Sequence, residues 1–396
     1  MSRICTAVSG GIAAYKACEL VRMLRARGHE VRVVATANAL EFVSKLTLQT
    51  LSGAPVRHQL LEASAESEIS HIELADWAEV FAVVPATANV LAKLAHGLAD
   101  DLLSTLALAT RAPLVVAPAM NVNMYRHPAT QANLDTLAKR GARIVGPGEG
   151  ELACGWVGEG RLVELEAILA VIEQCRTEPA LRGEVVLVNA GPTSEPIDPV
   201  RVITNRSSGR MGFAIAEAAA RRGAEVVLVS GPVALPTPWG VQRIDVETAV
   251  EMREAVLAAL PRATIAILAA AVADYAPERA EAIKIKREKQ DTLSLSLVKN
   301  PDILAEVVAS RGSTTVVGFA AETNDLLANA RAKLARKGCD LIVANDVSRA
   351  DIGFDADRNE VLIVGPRAED VRAVPVARKS EIAGSILDRV LEVRRR

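Results

Sequence analysis

The sequence has no C-x-x-C pair. Its five cysteines, Cys5, Cys18, Cys154, Cys175 and Cys339, are scattered singly through 396 residues. An odd, dispersed set argues against a disulfide framework or a zinc site and suits a reducing, cytoplasmic setting. No uninterrupted apolar run of about 20 residues exists either, so no membrane span is expected. The start, Met1 to Lys16, carries only a short apolar run before a glycine turn, unlike a secretory signal. Neither sign of charge dominates, because 46 basic residues face 48 acidic ones for a formal net charge of -2. That balance argues against nucleic acid or an anionic membrane as a partner and leaves room for a local basic pocket.

What is present is apolar strand and amphipathic helix in alternation. Half the residues are hydrophobic, and the length suits two domains of roughly 100–200 residues each. Ile4–Val8 reads as a strand, then Gly10-Gly11, then a helix over Ala13–Arg27. Further strands are expected at Glu30–Ala35, Glu79–Val84, Pro113–Ala117 and Arg143–Val145. Short apolar strands separated by helices predict a mostly parallel sheet covered on both faces, with ligands beyond the strand C-terminal ends.

The charged stretch around Val171–Arg182 marks a boundary, placed between residues 177 and 178. The rhythm then restarts. Strands are expected at Glu184–Asn189, Glu225–Ser230, Ala263–Ala269, Thr315–Phe319 and Asp340–Ala344. Helices fit at Gly209–Arg221, Glu247–Leu260, Asp302–Ser310, Asn324–Lys337 and Ser380–Leu391. The second domain is thus another open-sheet α/β unit. Ile283–Gln290 and Thr292–Leu297 alternate like an exposed strand pair. Arg358–Val364 and Ala368–Val374 read as a C-terminal hairpin extending the sheet, with Pro375 closing its second strand.

In the first domain, small polar residues collect after several strands. Ser9-Gly10-Gly11 feeds a helix and can offer backbone N–H groups to a phosphate, although a plain turn reads the same. Thr36, Pro85-Ala86-Thr87-Ala88-Asn89 and Pro118-Ala119-Met120-Asn121 follow other strands. His71, one of only five histidines, is suited to proton transfer or to a surface role. Cys154 sits in Gly148–Arg161, where five glycines in fourteen residues mark a tightly turned or lid-forming loop.

S-G-G-I-A-A-Y-K, S-H-I-E-L-A-D-W-A, P-A-T-A-N, G-x-A-D-D-L-L, P-A-M-N-x-x-M-Y and A-C-G-x-x-G-x-G-R occur in that order over some 160 residues. The set resembles the phosphopantothenoylcysteine decarboxylases, flavin-dependent enzymes with a flavodoxin-like three-layer fold. The resemblance implies FMN near Ser9, Gly10, Gly11, Ile12, Thr36, Thr87, Asn89, Ser104 and Met120. It implies His71 as the histidine of the oxidative half-reaction, Asn121 as the carboxylate holder and Cys154 as the proton donor on a flap. It also implies a trimer, with His71 serving a neighbour's flavin. Where the family loop often continues G-R-M-x-E-P, this chain has Arg161-Leu162-Val163-Glu164-Leu165.

The second domain opens with the long loop Asn189–Gly212, in which three prolines precede Asn205, Ser207, Ser208 and Gly209 at a helix start. Asp274 follows a strand, where a carboxylate suits Mg2+ shared with phosphates or a simple turn. Lys284 and Lys286 fall on one face of a strand, and Lys333 and Lys337 on one face of a helix. Each pair also reads as solvated surface charge.

The pieces A-G-P-T-x-E-P-I-D-P-V-R-x-I-T-N-R-S-S-G-x-M-G, A-A-V-A-D-Y, K-I-K-R, G-F-A-A-E-T and A-N-D-V resemble the phosphopantothenate–cysteine ligases. That implies a Rossmann-like domain joining 4'-phosphopantothenate to L-cysteine through an acyl-nucleotidylate, with CTP as in fused bacterial enzymes. Asn205 would bind the activated intermediate, Asp274 the nucleotide or its Mg2+, and Lys284, Lys333 and Lys337 the phosphates. Gly191, Ser207, Ser208, Gly209 and Phe319 would line the pocket. Arg210 and Arg287 stand where the family often has lysine. Dimeric ligase contacts combined with the trimer imply a homo-oligomer as large as a dodecamer. On residues alone, a flavoprotein oxidoreductase with an unrelated nucleotide-binding domain, or a non-catalytic flavin-binding regulator, stays open.

Overall fold

The computed structural model describes residues 1–60, 71–151, 155–286, 293–322, 324–346, 356–367 and 369–395. The chain forms two compact units, Met1–Glu178 and Pro179–Arg396. Among the described residues no helix is long and apolar enough to cross a membrane.

The first unit runs β1 (Arg3–Val8), α1 (Ala14–Ala26), β2 (Glu30–Ala35), α2 (Ala37–Leu40), α3 (Lys45–Ser52) and α4 (His71–Trp77). It continues with β3 (Val80–Ala86), α5 (Ala88–His96), α6 (Leu102–Ala109), β4 (Leu114–Pro118), α7 (Val122–Arg126), α8 (Pro128–Lys139) and β5 (Arg143–Ile144). A hairpin of β6 (Gly148–Glu151) and β7 (Val157–Arg161) precedes α9 (Leu165–Arg176). The five main strands are parallel in the order β2-β1-β3-β4-β5, the flavodoxin-like arrangement. All seven positions of β3 are buried, as a strand covered by helices on both faces requires. Helix α1 buries Ala14, Ala17, Leu20, Val21 and Leu24, the 3–4 spacing of one helical face.

The second unit holds β8 (Val185–Ala190), β9 (Ser194–Pro196), β10 (Val202–Thr204), α10 (Arg210–Arg221), β11 (Glu225–Ser230), β12 (Val241–Asp245) and α11 (Ala249–Ala259). Then come β13 (Ile265–Leu268), β14 (Tyr275–Pro277), β15 (Leu297–Lys299), α12 (Ile303–Ser310), β16 (Thr315–Glu322), α13 (Leu326–Lys337) and β17 (Leu341–Asp346). The chain ends in β18 (Arg358–Val364), β19 (Val371–Arg378) and α14 (Lys379–Arg394). The main sheet runs β12-β11-β8-β13-β16-β17-β18-β19. Its first six strands are parallel in Rossmann order, and the last two are the antiparallel extension.

Several expectations need correction. The described residues Ile283–Lys286 form no strand; β15 pairs instead with β14. The reason is local, because the Ile285 N–H donates to the Asp198 carboxylate (3.1 Å) and its carbonyl accepts from Arg201 (3.3 Å). Pro375 lies inside β19 rather than at its end. It is tolerated because β19 is the sheet edge and the pairing shifts register beside it, between Asn359 and Val361. The parallel edge strand β12 and the β9–β10 hairpin inside the long loop were not expected.

Candidate functional site

Both sheets reverse strand order at their first strand, and both have a cleft at the carboxyl ends there. In the first unit the switch lies between β1 and β3. A cleft of ≈ 820 Å³ opens beside it, in the size range of small-molecule sites. It collects Gly10, Gly11, Ile12, Thr36, Thr87, Asn89, Met120 and Asn121 from the ends of β1, β2, β3 and β4. Three of these are helix N-caps. Thr36 accepts from the Ala39 N–H, Thr87 from Val90 and Asn121 from Asn123. Gly10 lies so close to α2 that a Cβ would stand 2.3 Å from Cβ of Asn38. Ile12, Val90, Met120, Met124 and Leu162 supply apolar wall.

Ser9 and Ser104 do not line this cleft; both are buried. The Ser9 hydroxyl donates to the Pro85 carbonyl (2.8 Å) and accepts from the Thr87 N–H (3.1 Å), so it ties the end of β1 to that of β3. Ser104 forms a capping box with Asp101 at the start of α6. Asp101 does line the cleft, as does Lys93, whose ammonium bonds Asp101 (2.8 Å) and Asp100 (2.7 Å). Burial works against the Asp101 carboxylate, and Lys93 with the Ser104 N–H overcomes it, leaving the carboxyl below its usual range.

Within Gly148–Arg161 the described residues form the β6–β7 hairpin. It is pinned to the cleft where the Gly160 carbonyl accepts from the Met120 N–H (2.9 Å). Only glycine fits there. Gly160 has φ of 137°, and a Cβ would come within 2.3 Å of the Met120 oxygen. Cys154, which falls between the two strands, lies outside the described residues. Burial pushes the other four thiols upward, Cys5 to about 12, so none of them is poised as a thiolate. His71 begins α4 and is not among the cleft-lining residues.

In the second unit the switch lies between β8 and β13, and the cleft there has ≈ 620 Å³. It brings together Asn205, Ser207, Ser208, Gly209, Asp274, Phe319, Lys333 and Lys337. Asn189 at the end of β8 accepts from the Ala270 N–H (2.9 Å), strapping the segment after β13 in place. Asn205 spends its amide nitrogen on the carbonyls of Ala271 (3.2 Å) and Val272 (3.0 Å). Its carboxamide oxygen is thereby oriented as an acceptor. Gly209 is the N-cap of α10, so that helix's N-terminal dipole faces the cleft.

Among the described residues, Arg206, Arg210, Lys299, Lys333, Arg336, Lys337 and Lys379 line this cleft against two carboxylates, Asp274 and Asp302. The excess of positive charge suits a polyanion. Lys337 pairs with Asp302 and Arg210 with Asp357. Lys333 is half-buried and donates to the Phe319 carbonyl (2.8 Å). Burial depresses its pKa, and neighbouring Lys337 and Arg336 add to the effect against the pull of Glu322.

Gly191 and Lys284 are not in the lining. Gly191 backs Gly209, its Cα 3.4 Å from where a Cβ on Gly209 would sit. Lys284 is exposed on its own segment, and Arg287 lies outside the described residues. Arg206, Lys299, Arg336 and Lys379 were missed by the sequence reading. Only Arg206 belongs to a quoted motif; the others look like ordinary surface charge until the fold gathers them. Among the described residues no three His, Cys, Asp or Glu side chains cluster to hold a metal.

A family model described as "Flavoprotein" matches residues 1–177, and one described as "DNA/pantothenate metabolism flavoprotein C-terminal domain" matches residues 181–393. The chain is similar to the "Coenzyme A biosynthesis bifunctional protein CoaBC" of Vibrio cholerae serotype O1. Identity is 49% over 392 residues, covering 98% of each chain. The proteins of the same name from Escherichia coli strain K12 and Bacillus subtilis strain 168 are 49% and 47% identical over 393 and 388 residues. Those matches cover 98% and 97% of this chain, and 96% and 95% of the relatives.

Proposed function

The chain belongs to the CoaBC family of bifunctional coenzyme A biosynthesis proteins, and from that premise we propose how its two clefts divide the chemistry. It is an enzyme with phosphopantothenate–cysteine ligase and phosphopantothenoylcysteine decarboxylase activities. The ligase reaction is assigned to the cationic cleft of Pro179–Arg396, and the decarboxylase reaction to the cleft of Met1–Glu178. The observation that carries this division is the much denser positive charge of the second switch-point cleft. Among the described residues, one has apolar walls, helix N-caps and three cations against one carboxylate, and the other is lined by seven cations against two carboxylates.

The cationic cleft takes CTP, 4'-phosphopantothenate and L-cysteine. Activation places a cytidylyl group on the pantothenate carboxylate and releases pyrophosphate. Cysteine's amine then displaces CMP to form the amide. Lys333, Lys337 and the N-terminus of α10 offset the charge that develops on the phosphates. Asp274 alone is a weak metal ligand, which suits Mg2+ that draws most of its ligands from the nucleotide. Asn205 presents its oxygen to a proton donor on the intermediate or the amine. Lys284 adds a further cation from its exposed segment.

The other cleft fits FMN. N–H groups at the Gly10–Ile12 turn suit the phosphate, and the Ile12, Val90, Met120 and Leu162 surfaces suit a flat ring. When bound, FMN would supply two-electron oxidation of the substrate's cysteinyl thiol, which makes loss of CO2 electronically accessible. Asn121 holds the departing carboxylate through a neutral amide, which avoids over-stabilising the ground state. Cys154 returns a proton to the product. His71, outside its own unit's cleft lining, serves a neighbour's flavin in a trimer. Dimeric ligase contacts then close the assembly, to a dodecamer in the largest form.

An Asn205→Ala variant tests the division. It should lose condensation at least about tenfold while decarboxylating supplied phosphopantothenoylcysteine normally. Equal loss of both activities would contradict the assignment of separate sites.

A further inference from the structure

We propose that Asp198 is a positioning residue for the condensation reaction, holding with Arg201 the segment that carries Lys284. This rests on the reading of Lys284 as a phosphate-binding cation. Asp198 lies in the long proline-rich loop, where a carboxylate could equally face a ligand or close a turn. It does neither alone. Its side chain is fully covered, and it has four donors. Oδ1 accepts from the N–H groups of Val200 (2.8 Å) and Arg201 (2.9 Å), which closes its own turn. Oδ2 accepts from the Arg201 guanidinium (3.0 Å) and from the N–H of Ile285 (3.1 Å), 87 residues away.

The same guanidinium nitrogen donates to the Ile285 carbonyl (3.3 Å). Upstream, the Glu281 N–H donates to the Ile197 carbonyl (2.9 Å). The backbone is therefore held on both sides of Lys284, at Glu281 and at Ile285. A buried carboxylate is costly unless every lone pair finds a donor. Here one oxygen serves the turn, and the other is spent largely on the Lys284 segment. A lysine has a long flexible stem, so fixing its backbone removes part of the ordering cost of placing the ammonium on a phosphate. The device leaves Lys284 itself exposed.

Asp198→Asn separates the two oxygens' jobs. The amide keeps an acceptor for the turn and sets an N–H2 against the Ile285 N–H and Arg201. In the full-length protein, Asp198→Asn should lower kcat/KM for condensation at least about tenfold, with decarboxylation of supplied phosphopantothenoylcysteine unchanged. Hydrogen exchange at the Ile285 amide should accelerate. In a Lys284→Ala background the same change should add less than about twofold, because a residue acting through Lys284 has nothing left to position. Full additivity in the double variant would mean a general structural role and overturn the proposal. Normal condensation by Asp198→Asn, with Lys284→Ala impaired, would overturn the clamp alone. Normal condensation by Lys284→Ala would remove the reading of Lys284, and the positioning role with it.

Discussion

Gly10 and Gly11 are adjacent, both line the first cleft, and the structure assigns them very different tolerance. A Cβ on Gly10 would stand 2.3 Å from Cβ of Asn38, 2.7 Å from its carbonyl carbon and 2.9 Å from its carbonyl oxygen. Carbon atoms pack at about 3.5 Å or more, so the start of α2 must retreat by about 1.2 Å (3.5 less 2.3). Backbone atoms are involved, so no rotamer change relieves the clash. A Cβ on Gly11 meets only Thr87 Cγ2, at 3.6 Å, an ordinary contact. Gly10→Ala should therefore cost about 1–3 kcal/mol, and Gly11→Ala within about 0.5 kcal/mol of nothing. For a unit of this size the first figure lowers Tm by roughly 2–12 °C. The retreat also carries away Thr36, so flavin retained after desalting, read by absorbance, should fall in Gly10→Ala. Equal Tm values for the N-terminal transition of the two variants would mean that α2 does not confine Gly10.

Ser9→Ala should destabilise the first unit by about 1–3 kcal/mol, because the Thr87 N–H loses its acceptor; thermal unfolding checks this. Lys333→Met should raise the Tm of the second unit while weakening nucleotide binding at least about tenfold, read as KM for CTP; a fall in Tm would contradict it. The sign follows from burial, which disfavours the charged amine in the folded state. The unfolded chain holds that proton more tightly, so the group's contribution to stability rises with pH between its depressed value and the ordinary lysine value of 10.5. In the same window CTP binding should take up a proton, visible by calorimetry in buffers of different ionisation enthalpy.

Strand ends were legible because each is an apolar run followed by glycine or by a side chain that caps a helix. Thr36 and Thr87 are the clearest cases, since each directly follows a strand and caps a helix. The inward bonds of Ser9 were not legible, because a serine after a strand looks the same whether it faces a ligand or the neighbouring strand; only the pairing of β1 with β3 decides. Lys284 and Lys286 alternate like a strand, yet long-range bonds to Asp198 and Arg201 take the backbone groups that a ladder would need. Val241–Asp245 is a half-exposed edge with only a weak apolar signal. Lys299, Arg336 and Lys379 became site residues only when three separate elements met at one cleft.

One chain carrying out condensation and decarboxylation in sequence can be followed in a single assay. Purified protein is incubated with 4'-phosphopantothenate, L-cysteine labelled at the carboxyl carbon, CTP and Mg2+. Equimolar labelled CO2 and 4'-phosphopantetheine are expected, with pyrophosphate released in equal amount and neither product formed when CTP is omitted. Labelled CO2 without CTP, or pyrophosphate release with no CO2 from a flavin-loaded enzyme, would contradict that sequence of reactions.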